Sequence, residues 1–253
     1  MKKEIIYIIV LLALSFSFVP GIMAQSKVAV VANSIDIGMN PEFISNLKKN
    51  NITVDYFGAK DSGYEKYDYV IVLGGPDSTE HTGPISAKIL LEFDQDKIRA
   101  GGSRIIYEAN DTFKSKQKVF VLAGSNRNFT KMTVDQYTSK IISKINGQPI
   151  QTNTFISISA SQVKQIIESK EDIYLIDVRT EALYAQGHIP GAVNMPLEKI
   201  SFMTSQIPKN KKIVLYCGNG IKAAEGAQFL ADLNYKNVHA MSEGYPVYAN
   251  LSK

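Results

Sequence analysis

Short unbroken apolar runs, each followed by a loop and then by residues at helical spacing, constrain this chain more than any other feature. In the first half they occupy residues 28–31, 69–73, 119–122 and, behind Arg104 in the strand pattern 104–107, 105–107; in the second, 173–176 and, behind Lys211 and Lys212, 213–216. Such a run reads as a strand covered on both faces, which is how strands sit in a parallel sheet. Between them, Phe43 with Leu47, residues 85–93, and residues 132–145 with Tyr137, Ile141 and Ile145 on one face read as helices. In the second half Ser159 and Gln162 form a capping box ahead of Val163, Ile166 and Ile167. A short helix over 181–186, strands over 192–194 and 238–240, and a helix marked by Ala224, Ala227, Leu230 and Leu233 complete the pattern. Alternation of this kind predicts the α/β class, with two open parallel-sheet domains whose ligands bind beyond the carboxyl ends of the strands.

The polar stretch 147–149, followed by 151–154, separates the two sets of elements. It predicts an N-terminal α/β domain over 25–148 and a second domain over 155–253. Ahead of both, Lys2 and Lys3 precede an apolar stretch over 5–19, which Pro20 and Gly21 break before Ala24. That is the pattern of a secretory signal peptide over 1–24, with a mature chain from about Gln25 that is extracellular, periplasmic or envelope-associated. Residues 5–24 are also just long enough for an uncleaved anchor. No cysteine follows Ala24 at the cut, which excludes a bacterial-type lipoprotein.

The formal net charge is +4, and the lysines are scattered, which argues against a nucleic-acid partner. Loss of Lys2, Lys3 and Glu4 with the leader would leave +3. His81, His188 and His239 are too widely spaced for a metal cluster, and no motif calls for a cofactor. Asn51, Asn110, Asn128 and Asn250 each open a glycosylation sequon, a pattern with many false positives. The single cysteine cannot make an internal disulfide.

That cysteine, Cys217, ends the strand pattern of 211–216 and precedes Gly218, Asn219, Gly220, Ile221 and Lys222, with a helix beyond. A helix N-terminus favours a thiolate and any anion held by it, and the two glycines let the backbone curl so that several N–H groups converge. Lys222 adds positive charge. A buried, inert cysteine is the plainer alternative, and the glycines and lysine argue against it.

Several motifs then fall in order: Asp177-Val178-Arg179; Tyr184 and Gly187-His188-Ile189-Pro190-Gly191-Ala192; Tyr216-Cys217 with Gly220 and Lys222; and Glu243-Gly244-Tyr245. Together, over about 156–252, they resemble a rhodanese domain. The resemblance implies a sulfurtransferase: Cys217 takes a sulfane sulfur from a donor such as thiosulfate, holds it as a persulfide, and passes it to a thiol or cyanide. Gly218 to Lys222 would bind the donor. Asp177, Arg179 and His188 read as structural groups near the site, the first two as an ion pair and His188 as a turn residue. Phosphatases that share this fold use a loop one residue longer, ending in Arg, so that activity is disfavoured. The chain departs from many active members, which carry a basic residue after the cysteine and Arg at the loop's end; here these are Gly218 and Lys222. Lysine keeps the charge without the bidentate fork, which makes a less anionic persulfide or polysulfide a fair donor. The competing reading is a non-catalytic binding protein that uses the fold as an interaction module.

In the first half Asn33-Ser34, the stretch 74–78 and the stretch 124–127 fall at strand ends and should line one edge. The Gly74-Gly75 pair could cradle a ligand, although glycines there more often serve simply as turn formers. The strand-GGP and strand-AGSxR arrangement resembles domains associated with archaeal surface-layer proteins. This implies recognition of a cell-envelope component.

Overall fold

The computed structural model describes residues 25–252 apart from Ala59 and His81. The segment on which the signal-peptide expectation rests lies outside the described residues. In chain order the first half runs β1 (Ser26–Ala32), α1 (Ser34–Gly38), α2 (Pro41–Lys49), β2 (Ile52–Phe57), β3 (Tyr69–Leu73), α3 (Thr82–Ile89), α4 (Glu92–Arg99), β4 (Arg104–Asn110), β5 (Lys118–Gly124) and α5 (Arg127–Ile145). The second half runs β6 (Ile156–Ile158), α6 (Ala160–Glu168), β7 (Ile173–Asp177), α7 (Glu181–Ala185), β8 (Val193–Asn194), α8 (Ile200–Met203), β9 (Lys212–Tyr216), α9 (Ile221–Asp232), β10 (Val238–Met241) and α10 (Tyr245–Leu251). Among the described residues no helix is long and apolar enough to cross a membrane.

The strands form two five-stranded sheets, ordered β2-β1-β3-β5-β4 and β6-β10-β9-β7-β8. The second is parallel throughout. The first departs from the parallel expectation at one edge, where β4 runs antiparallel to β5. Only the short turn over 111–117 joins the pair, and a parallel crossover needs a dozen or more residues. Lys116 N–H donating to Asp111 Oδ1 closes that turn on itself, and Gln117 Nε2 donating to Glu65 O and Tyr67 O fastens it to the segment that leads into β3.

The central strands match their apolar runs: Val28 to Ala32, Val70 to Leu73 and Val119 to Ala123 are all fully buried. Their side chains alternate between two cores. Val28, Val30, Ile71 and Leu73 meet Phe43 and Leu47 on one face, while Ala29, Val31, Val70 and Val72 meet Ile89 and Ile98 on the other. In the second sheet β9 is central, and Ile213 to Tyr216 are fully buried. Ile213 and Leu215 face Ala227 and Leu230, whereas Val214 and Tyr216 face Val163 and Ile189.

Residues 85–93, read as one helix, divide between α3 and α4. Leu91 is extended at the break, and Gln95 Nε2 bridges it to Ala87 O and Leu90 O at 2.9 and 3.0 Å. One helix serves both sheets. Phe129 and Met132 of α5 lie in the same buried cluster as Phe229 and Leu230 of α9. Beside them Arg104 Nε pairs with Glu225 at 2.8 Å, and Lys140 Nζ pairs with Asp232 at 2.9 Å.

Candidate active site

Cys217 lies one residue past the end of β9, and its side chain belongs to the core cluster beneath α9. The residue is 1% exposed, whereas Gly218 and Asn219 beside it are exposed. The chain turns sharply because Gly220, the N-cap of α9, is left-handed with φ of 85°. A Cβ at that position would also sit 2.0 Å from Ser242 O. A second loop presses on the first: a Cβ at Gly244 would lie 1.6 Å from Gly218 O. Tyr245 N–H donates to Cys217 O at 2.8 Å, which pins the cysteine's backbone to the start of α10. Among the described residues the N–H groups of Gly218, Asn219 and Gly220 donate to no protein acceptor. The loop therefore leaves three backbone donors without a protein acceptor in the residues that follow the thiol, at the N-terminus of a 12-residue helix.

Asn219 makes the side-chain hydrogen bond to the sulfur. The Cys217 thiol donates to Asn219 Oδ1 across 3.8 Å, and Ile221 N–H donates to the same oxygen at 3.3 Å. A thiolate cannot make the first contact, so ionisation favours an amide turned to present its NH2 group. Lys222 and Ile221 are both exposed on the first turn of α9, so the lysine's charge stands at the mouth of the loop rather than inside it.

Asp177 and Arg179 form a buried ion pair at 2.6 Å, with exposures of 0% and 8%. Arg179 also donates to Gly187 O at 2.7 Å and lies 4.3 Å from the centre of the Tyr245 ring. It thus ties β7 to the turn after α7 and to the loop that presses on the cysteine loop. Between them stands Tyr216, whose hydroxyl accepts from Ile189 N–H at 3.0 Å. Burial pushes the Tyr216 phenol well above its usual range. His188 is exposed, stacks on Tyr184 at 3.8 Å between ring centres, and has Nδ1 3.0 Å from Tyr184 O. That is the geometry of a turn residue.

Sequence reasoning passed over Ser242, and it gave Gly244 only as part of a motif. Neither carries chemistry by residue type. Their contact with the cysteine loop is made across more than twenty residues of chain, so no local pattern announces it.

The rhodanese-like domain family matches residues 159–251. A sulfurtransferase of Allochromatium vinosum is 33% identical over 92 residues, which is 36% of this chain and 86% of that protein. A thiosulfate sulfurtransferase of Shewanella oneidensis is 26% identical over 96 residues, covering 38% of this chain and 94% of that protein. One from Coxiella burnetii is 29% identical over 79 residues, 31% of this chain and 74% of that protein. The matches fall on the half of the molecule that carries the parallel sheet, the Cys217 loop and the Asp177–Arg179 pair, and through that half the chain belongs to the rhodanese family.

Proposed function

We propose that this protein is an exported sulfurtransferase in which Cys217 carries a sulfane sulfur between a small donor and a thiol or cyanide acceptor. The observation that carries the reading is the Cys217 loop: a lone thiol at a helix N-terminus, followed by three backbone N–H groups with no protein acceptor among the described residues. The Cys217 thiolate attacks the outer sulfur of the donor. A new S–S bond forms, the donor's own S–S bond breaks, and the leaving group (sulfite, if the donor is thiosulfate) departs with the electron pair. The acceptor then attacks the outer sulfur of the persulfide, and Cys217 leaves as thiolate. Each half is a displacement at sulfur, and neither needs a general base.

The near-complete burial of Cys217 suits this two-step scheme. A second sulfur bonded about 2.05 Å beyond Sγ reaches out toward the loop, where the free N–H groups share its negative charge. Lys222 at the mouth favours an anionic donor without gripping it bidentately. The first domain, with its loops at one sheet edge, serves in this reading to engage a cell-envelope component.

Intact-protein mass spectrometry after incubation with thiosulfate, and separately with polysulfide, tests the proposal. The expected result is a gain of one sulfur on Cys217 that cyanide removes. No gain with either donor would leave the fold as an interaction module. Export is tested apart from this, by N-terminal sequencing of the native protein, which should begin near Gln25.

A further inference from the structure

Away from Cys217, the first sheet has its own cavity. It lies at the carboxyl ends of β1, β3 and β5, where the chain reverses the direction in which it adds strands, and has a volume of about 270 Å³. That is just under the roughly 300–1,000 Å³ of sites for drug-sized ligands, and suits a small polar metabolite. Side chains from separate loops are tied together beside it. Glu80 accepts from Ser34 N–H and Oγ–H at 2.8 and 2.5 Å, and Arg99 meets Asp77 at 3.2 Å.

Two polar side chains in the wall are almost wholly buried yet incompletely used. Asp36 is 3% exposed; Asn33 Nδ2 donates to its Oδ2 at 2.8 Å, and Oδ1 has no partner among the described residues. No cation lies within ion-pair distance of it among the described residues, and burial pushes its carboxyl up, opposed by Asn33 and by the charge of Arg127. Thr130 is also 3% exposed, and its hydroxyl has no hydrogen-bond partner among the described residues. A buried carboxylate without a cation is unfavourable in an empty site and becomes favourable when a ligand supplies the charge. On another wall Arg127 opens the 19-residue α5. Phe129 N–H is taken by the cap at Asn126, at 3.0 Å, while the Arg127 and Asn128 N–H groups have no such cap. Arg99 is engaged with Asp77 and Asp96, whereas Arg127 makes no ion pair among the described residues. The cavity wall thus holds a buried carboxylate with no ion-pair partner among the described residues and a guanidinium with none, together with Ile98 and two glycines.

We propose that this cavity binds a small dipolar molecule bearing an ammonium and a carboxylate, of which a free α-amino acid is the simplest. The ammonium pairs with Asp36 and the Thr130 hydroxyl, and the carboxylate lies against Arg127 and the first turn of α5. The narrow floor between Gly75 and Gly124 favours a short side chain. This assignment uses no residue of the Cys217 loop and stands or falls apart from sulfur transfer.

Calorimetric titration of the full chain with the free proteinogenic amino acids, at up to millimolar concentration, tests it. At least one with a short side chain should saturate a single site. Its N-acetyl form, which lacks the ammonium, and its carboxamide, which lacks the carboxylate, should each bind on the order of ten- to a hundredfold more weakly. Asp36→Asn should match the loss of the N-acetyl form, and the near-isosteric Thr130→Val should show a smaller loss. Arg127→Gln, at an exposed position, should match the carboxamide. The proposal is overturned if no amino acid gives a saturable signal, if the N-acetyl form binds as well as its parent, or if inorganic phosphate alone binds as tightly.

Discussion

Asn219 touches the reacting sulfur, and its amide can offer it either an oxygen or an NH2 group. Asn219→Asp removes the choice and fixes negative charge about where the oxygen now lies, 3.8 Å away. Two like charges at that range cost about 1 kcal/mol in bulk water and about 4 near a protein surface. We therefore expect sulfur transfer slowed on the order of tenfold or more, with the pH–rate profile moved to higher pH. Cys217→Ser should abolish transfer and leave the melting temperature near that of the wild type, since Ser is nearly isosteric and a poor nucleophile without a base. Gly218 is a different case. A Cβ there meets nothing within 4 Å, so a longer side chain fits without strain. Gly218→Lys should lower KM for thiosulfate, and do so more than for a neutral persulfide donor; equal effects on both would remove charge as the reason. The cysteine, its glycines and its lysine were legible from residue type and spacing. Asn219 was legible only as a loop member, because which atom its amide turns toward the sulfur depends on how Gly220 bends the chain.

At the scale of elements, β10 and β7 carry the clearest consequences of burial. His239 of β10 is 7% exposed, with Nε2 2.8 Å from Asn237 Oδ1 and Nδ1 unpartnered. Burial holds its imidazole below the ordinary range, and Lys212 adds to the effect. Below about pH 6.5 the unfolded chain takes up a proton there that the folded chain refuses, so stability falls with falling pH. Denaturant titrations between pH 7 and pH 5 should show the wild type losing stability relative to His239→Leu; parallel losses would refute this. On β7, Asp177→Ala strands the Arg179 guanidinium in the core, and should cost about 3–5 kcal/mol in the same assay. Strands β1, β3, β5, β7 and β9 could be read from their unbroken apolar runs because both of their faces are covered. The edge strand β2 was passed over: Ile52 is buried, but the residues after it are partly or fully exposed. Its sequence alternates apolar and polar residues, the pattern of a strand covered on one face, and a search for unbroken apolar runs misses it. The antiparallel setting of β4 depends on the length of one turn rather than on the strand itself.

At the scale of the whole molecule, the exposed stretch between α5 and β6 and the interface formed by α5 lead to opposite expectations. The stretch over 147–154 has no regular structure and is open to a protease. Yet α5, ahead of it, contributes Phe129 and Met132 to the second core. We expect limited proteolysis to cut within 147–155 and the two fragments to co-elute on size exclusion until denaturant is added; prompt separation would show that the domains are independent. The composition of the linker predicts two domains and carries no sign of this shared core. Phe129 and Met132 sit in a stretch that satisfies the first sheet's need for a closing helix, and nothing local says which sheet each side chain serves. The same feature bears on how the protein is made. Synthesis proceeds at about 5–20 residues per second from the N-terminus, so the first sheet and α5 are complete several seconds before α9 emerges from the ribosome. During that interval the nascent chain displays an apolar strip with no covering surface. A cell that makes this protein must keep that strip shielded, by a holding chaperone or by continuous handover to its destination, until the second half arrives.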